Sequence, residues 1–272
     1  MKMIHPKSTK RPTAEDARLA LEKFEKDEEN MINFEIACMQ LKNIDNRKNY
    51  KSIEEALVKT EPETLKSKDY EYKGQVKDGK AHGYGVRTWK SGDIESGLFH
   101  NGLLDGFANK LFSSGGKYSG EWRESKHHGQ GTFTYSNGNV YTGSWERGTK
   151  HGHGTFTWQS GSVYIGNWER DQRSGHGTYT YANGDIYEGE FLNADKHGHA
   201  YMHGHGTFTW PNGDVYIGNF KQNQRNGYGT YTFADGEYEG EWLDGVRHGQ
   251  GKMTYKESGK VDEGKWKNNK FI

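Results

Sequence analysis

Residues 141–163 read Tyr141-Thr-Gly-Ser-Trp-Glu-Arg-Gly-Thr-Lys-His-Gly-His-Gly-Thr-Phe-Thr-Trp-Gln-Ser-Gly-Ser-Val163. Tyr141, Gly143 and Trp145 occupy alternate positions. After Arg147-Gly148, the residues Gly152, Gly154, Phe156 and Trp158 alternate with His153, Thr155 and Thr157. Successive side chains of a strand point to opposite faces, so strict alternation reads as strand. The stretch is two strands joined by a turn at Arg147-Gly148, with Ser160-Gly161 turning the chain onward.

The same unit recurs along the chain. Aligned on Tyr-x-Gly, copies begin at Tyr72, Glu95, Tyr118, Tyr141, Tyr164, Tyr187, Tyr216 and Tyr238, and a truncated ninth begins at Asp262. The first five intervals are 23 residues and the next three are 29, 22 and 24. A period held this long signals a repeat architecture. Asn137-Gly138, Asn183-Gly184, Asn212-Gly213 and Asp235-Gly236 separate the copies, and such dipeptides are strong hairpin signals because they tolerate positive φ.

Glycine inside a strand weakens it unless something must approach the backbone closely. Here 38 of 272 residues are glycine, all between Gly74 and Gly264, and only 4 are proline. Gly143 shares a face with Tyr141 and Trp145, and Gly154 shares one with Phe156 and Trp158. The expected arrangement is rings lying over the glycine backbone of neighbouring strands, with a Thr-rich, polar opposite face.

These residues carry a family resemblance. Tyr141-Thr-Gly-Ser-Trp145 with Lys150-His-Gly-His-Gly154, and Tyr238-Glu-Gly-Glu-Trp242 with Arg247-His-Gly-Gln-Gly251, resemble the MORN repeat over about residues 72–272. The resemblance implies an all-β array, an elongated single-layer antiparallel sheet of hairpins acting as a scaffold. The family includes junctional membrane proteins, lipid kinases, a lysine methyltransferase, apicomplexan cytoskeletal rings and radial-spoke heads. Some copies depart from the pattern. Glu95 replaces the leading Tyr, Asp105 a His and Ala108 a Gly, so the second repeat is expected to be distorted. Ser174 and Asn226 replace His, and the copy at Tyr187 carries six extra residues within His197–His205.

Residues 1–69 contain no glycine and read as helical. Thr13 with Asp16 resembles a capping box. Ala17, Leu21, Phe24, Met31, Phe34, Cys38 and Leu41 then recur at steps of three, four or seven, one apolar stripe on a helix of about 14–45. A second, short helix is expected at about 53–59, ended by Pro62. The segment is too small and polar for a core of its own. Leu21, Phe24, Met31 and Phe34 are its expected docking face, against the array or a partner.

Lys+Arg and Asp+Glu are both 37, so the net charge is zero. Nucleic-acid binding, which needs excess basic charge, is not expected. One cysteine, Cys38, excludes an internal disulfide framework and points to a cytoplasmic setting. No apolar run approaches the ~18 residues of a membrane span. No nucleotide loop or nucleophile elbow occurs, and no catalytic residues or cofactor are expected. The 13 histidines mostly hold repeat positions, and the cluster His197, His199, His203 and His205 reads as a loop elaboration rather than a metal site.

The expected function is a non-enzymatic scaffold binding proteins. Family analogy places it in a cytoskeletal or ciliary axonemal assembly. Exposed sheet edges make a homodimer plausible. The alternative is a peripheral adaptor on anionic phospholipids (phosphoinositides), although basic and acidic residues balance both in residues 1–70 and in residues 71–272 and only Lys2–Arg11 is locally basic. The expected partner face is aromatic: Tyr118, Trp122, Tyr141, Trp145, Trp158, Tyr164, Trp168, Tyr187, Trp210, Tyr216 and Trp242. These rings are also the only core a single layer possesses, and the pattern alone does not separate the two roles.

Overall fold

The computed structural model describes residues 62–193 and 200–272. The expected helices at 14–45 and 53–59, with their docking residues, lie outside the described residues, as do His197 and His199. The chain divides into two compact units between Leu103 and Leu104. The described residues are strand and turn throughout, and none of them forms a helix.

In the first unit, β1 (Glu63–Lys66), β2 (Tyr70–Lys77), β3 (Lys80–Trp89) and β4 (Ile94–His100) pair antiparallel in chain order. The sheet therefore begins before residue 70, the boundary expected from the repeats. Leu65 of β1 pairs with Tyr72, which gives the first repeat a strand on its outer side.

The second unit begins within β5 (Leu103–Leu111). It continues through β6 (Lys117–Arg123), β7 (Lys126–Thr134), β8 (Val140–Glu146), β9 (Thr149–Thr157), β10 (Val163–Glu169) and β11 (Gln172–Thr180). After these come β12 (Ile186–Asn193), β13 (Ala200–Thr209), β14 (Val215–Lys221), β15 (Gln224–Phe233) and β16 (Gly236–Leu243). The last three are β17 (Val246–Tyr255), β18 (Val261–Lys267) and β19 (Lys270–Phe271). Each strand from β5 pairs antiparallel with the next.

The registers align the strand glycines into one row. Gly131 faces Gly143, Gly143 faces Gly154, Gly154 faces Gly166, and the row runs on to Gly251 facing Gly264. A Cβ on Gly143 would stand 2.5 Å from the Gly154 Cα, and one on Gly154 would stand 2.6 Å from Cζ of Tyr141. Neither position admits a side chain, because the tyrosine ring already lies on both glycines. This is the arrangement expected from the alternation.

The two turn types exchange the roles that the dipeptides suggest. In the Asn137-Gly138 connection only Gly138 takes a positive φ, of 85°. In the Arg147-Gly148 connection both residues do, at 51° and 90°, as a two-residue type I′ hairpin requires. The Asn137 side chain instead accepts the Asn139 N–H at 3.1 Å. That bond fixes the loop without left-handed backbone at Asn137.

Candidate protein-interaction face

Each repeat of the second unit carries its ladder past a bulge just after the first-strand glycine, for example between Gly166 and Asn167. A bulge leaves the ladder locally incomplete. The leading tyrosine spans the gap: Tyr141 Oη donates to Ser144 O at 2.9 Å and Tyr164 Oη to Asn167 O at 3.0 Å. Tyr216 does the same to Asn219 O and Tyr238 to Glu241 O. Burial pushes the phenols of Tyr164, Tyr216 and Tyr238 up to about 12. They stay neutral donors at any physiological pH.

The residue four places on completes the layer. Trp145 meets Tyr141 edge to face at 5.0 Å and Tyr118 of the preceding repeat at 5.4 Å. Trp168 meets Tyr164 and Tyr141 in the same way. The indole N–H donates to a carbonyl of the glycine row, Trp145 to Gly131 O and Trp168 to Gly154 O. A single layer has no second layer to bury against, so its rings bury one another.

This settles where the expected partner residues stand. Tyr118, Trp122, Tyr141, Trp145, Tyr164, Trp168, Tyr187, Tyr216 and Trp242 are at most 5% exposed and form the core. Trp158 and Trp210 are half-buried on the same side. They belong to a stripe that pattern reading passed over. Ring follows ring from Trp158 to Tyr179 (5.2 Å), Tyr179 to Tyr181 (4.4 Å), Tyr181 to Phe208 (6.0 Å), Phe208 to Trp210 (4.6 Å) and Trp210 to Tyr231 (5.4 Å). The signal was present in Thr-Phe-Thr-Trp and Thr-Tyr-Thr-Tyr, where an aromatic pair sits at alternate positions near the second strand's end.

Cations sit among these rings. Lys150 Nζ is 5.0 Å from the Trp168 ring centroid, 5.2 Å from Phe156 and 5.8 Å from Tyr141. Arg173 lies against Trp158, Tyr164, Tyr179 and Phe191, and Arg225 is 4.1 Å from the Trp242 centroid. Arg247 is 4.9 Å from Trp266. All four hold equivalent places: Lys150 pairs with Trp145, Arg173 with Trp168, Arg225 with Phe220 and Arg247 with Trp242. Burial lowers the pKa of Lys150, and Asp171 pulls it partly back. The attraction of the rings, about 0.5–2 kcal/mol per cation, offsets part of the desolvation. In the repeat at Tyr118 the place is taken by His127, stacked on Tyr118 at 3.9 Å. Burial lowers His127 to about 4, so it is neutral at pH 7.

Toward the end of the second unit the stripe opens into a groove of about 750 Å³, with Trp210, Arg225, Tyr231, Phe233, Trp242 and Arg247 among its walls. Its chemistry is flat rings with two guanidinium groups. Among the described residues no group of three or more His, Cys, Asp or Glu stands close enough to hold a metal. His203 and His205 are ordinary β13 residues. No helix of the described residues is long and apolar enough to cross a membrane.

The family described as MORN repeat matches residues 72–94, 118–140, 141–163, 164–186, 201–215, 216–237 and 238–260. Residues 95–117, which it passes over, contain Glu95 and Ala108. No curated protein matches the chain. Among solved structures, the wild-type TCP10 domain of Danio rerio CPAP is 10% identical, covering 73% of this chain and 91% of its own, with a TM-score of 0.41. The TCP domain of SAS-4 (dCPAP) of Drosophila melanogaster, in complex with a proline-rich motif of Ana2 (dSTIL), is 11% identical, covering 63% and 84%, with a TM-score of 0.35.

Proposed function

The chain belongs to the MORN-repeat family, and from that premise we propose that it is a non-enzymatic scaffold whose half-buried aromatic stripe holds protein partners in a cytoskeletal or ciliary axonemal assembly. The observation that carries this reading is the division of labour among the rings. The leading tyrosines and their tryptophans are consumed by the core, whereas Trp158, Tyr179, Trp210 and Tyr231 keep part of their surface open beside Arg173 and Arg225. Aromatic and arginine side chains dominate binding energy at protein interfaces. The cytoskeletal setting comes from family analogy alone.

The test is affinity purification of the tagged full chain from cells, with imaging. Retention of axonemal or cytoskeletal proteins, lost in Trp158→Ala/Trp210→Ala, supports the reading. A diffuse protein that retains nothing overturns it. A parallel sedimentation with anionic vesicles addresses the lipid alternative: salt-sensitive binding abolished by removing residues 1–12 would replace the scaffold reading with a membrane adaptor.

A further inference from the structure

The groove of the second unit carries positive charge that its own repeats do not neutralise. We propose that it binds an acidic segment of a protein partner, running across the strands in the polyproline II conformation with carboxylates three residues apart, one on Arg225 and one on Arg247. The inference rests on the reading of the stripe as the interaction surface and names the chemistry that surface takes.

Charge is read by comparing equivalent places. In the repeat at Tyr141 the caged cation is Lys150, and a turn residue of the next repeat supplies its counter-ion, with Lys150 Nζ 3.7 Å from Asp171 Oδ1. The same turn position is Gly245 beside Arg225 and Asn269 beside Arg247, each donating its backbone N–H to that cation's carbonyl as Asp171 does to Lys150. Neither residue carries a charge. Among the described residues, each guanidinium makes one hydrogen bond and no ion pair: Arg225 donates to Gly245 O at 2.8 Å and Arg247 to Asn269 O at 3.4 Å. The remaining N–H groups form a fork suited to a carboxylate. Both arginines are half-buried, whereas Asp235, the acid on the groove wall, is exposed. Burial lowers the pKa of Arg225, and the charge of Arg247 lowers it further. An anion at each guanidinium relieves both effects. There is room for one beside Arg225, since apart from its chain neighbours no heavy atom lies within 4 Å of where a Gly245 Cβ would stand.

Spacing selects the conformation of the occupant. Strands β15 and β17 flank β16, so Arg225 and Arg247 stand two strand spacings apart, about 9.6 Å. Their carbonyl bonds hold the two forks in separate repeats, which calls for two anions rather than one. A polyproline II chain rises about 3.1 Å per residue with three residues per turn, so residues i and i+3 project from one side about 9.3 Å apart. A β-strand returns to one face at about 6.6 or 13 Å, and a helix after seven residues at about 10.5 Å. The polyproline form fits the arginines best. Its intervening residues lie over Trp210, Tyr231 and Phe233. Aromatic-lined grooves take such chains because the conformation is already ordered before binding.

The experiment measures fluorescence anisotropy of a labelled peptide of four Glu-Pro-Pro units titrated with the full chain. The expected result is saturable binding that high salt weakens. A peptide of Gln-Pro-Pro units, and one of Glu-Pro-Pro-Pro units that breaks the three-residue spacing, should bind at least about tenfold more weakly. Arg225→Gln/Arg247→Gln should lose binding to the same extent. Gly245→Asp is the second variant, because it leaves both arginines in place and gives Arg225 the counter-ion that Asp171 gives Lys150. Aspartate tolerates the 87° φ of that position. This variant should keep its thermal unfolding and still bind about tenfold more weakly. No binding of the Glu-Pro-Pro peptide, equal binding of the glutamine peptide, or undiminished binding by Gly245→Asp overturns the proposal. If instead the chain ignores the peptide but binds phosphatidylserine vesicles, or sediments as a dimer, and Arg225→Gln/Arg247→Gln abolishes this, the arginines serve a lipid surface or a second copy and the proposal falls. Peptide binding with a failed capture experiment leaves this inference standing and sinks the cellular scaffold reading. Successful capture by a chain that ignores the peptide does the reverse.

Discussion

The ladder rung that joins one repeat to the next is built differently in the two units. Through the middle of the second unit it is a pair of rings, as where Phe133 faces Tyr141 and Phe156 faces Tyr164, while at the unit's ends Lys110 faces Tyr118 and Met253 faces Asp262. In the first unit the same rung is Arg87 facing Glu95. Those side chains are 7% and 4% exposed, and Arg87 Nε donates to Glu95 Oε2 at 2.7 Å. Arg87 also donates to Gly102 O at 2.7 Å and lies 4.8 Å from the Trp89 ring centroid and 5.0 Å from that of Phe99. The second repeat, expected to be distorted, keeps its strand by replacing two rings together. A buried charge at this rung stands because its partner there is the opposite charge.

Breaking that match gives the largest expected effect. Glu95→Ala strands a buried guanidinium and should cost about 3–5 kcal/mol in urea unfolding. Arg87→Phe/Glu95→Tyr, which converts the rung to the second unit's chemistry, should recover most of that loss. A double variant as unstable as the single would refute the equivalence of the two rungs.

The glycine row sharpens the comparison. In every repeat that begins with Tyr, the second strand carries glycine at the place beneath that ring, as at Gly154. The repeat that begins with Glu95 has no such ring, and it alone carries alanine there, Ala108. Gly154→Ala should therefore destabilise by about 1–3 kcal/mol, the usual cost of overpacking. Ala108→Gly should cost no more than about 1 kcal/mol, a backbone-entropy effect. Equal losses at the two sites would show that the ring is not what excludes a side chain.

Next in size is the contrast of His127 with Lys150, two occupants of one kind of ring cage. His127 is held at about 4 by burial, against an ordinary value near 6.5. Its folded pKa is depressed, so between pH 6.5 and 4 the unfolded chain binds the proton first. Stability is then full above about 6.5 and declines as pH falls toward 4, by of order 1–2 kcal/mol once partial exposure is allowed for. His127→Phe should remove that component from the pH dependence of thermal unfolding. An unchanged profile would assign the acid sensitivity elsewhere.

Much of this was legible beforehand. Alternation around Gly143 and Gly154 disclosed strands, hairpins and rings seated on glycine, because sheet periodicity depends only on local spacing. The split between core and open rings was not legible. Tyr141 and Trp158 look alike as letters, and only the register puts the first under two neighbouring tryptophans and leaves the second half-buried. Lys150, Arg173, Arg225 and Arg247 were equally opaque, since a charge two residues before a strand glycine says nothing of its surroundings until the opposite strand supplies Trp145, Trp168, Phe220 or Trp242. Glu95 read as a defect because its partner, Arg87, lies eight residues away in the preceding repeat.

The smallest effect concerns the two-residue turns, which also stitch adjacent repeats. The second turn residue donates its N–H to the preceding repeat, Asp171 to Lys150 O and Gly148 to His127 O. Where that residue has an acceptor side chain a second bond forms: Asp171 Oδ1 accepts the Lys150 N–H at 3.0 Å, and Asn223 and Asn269 do likewise for Met202 and Arg247. Gly148 has no side chain to do so. Asp171→Gly should then cost about 0.5–1.5 kcal/mol, and Gly148→Asn should gain a few tenths to about 1 kcal/mol. Asparagine accepts left-handed φ readily and offers the missing acceptor to the His127 N–H. If Gly148→Asn proved destabilising, the 90° φ of that residue, rather than the absent bond, would be what the turn selects.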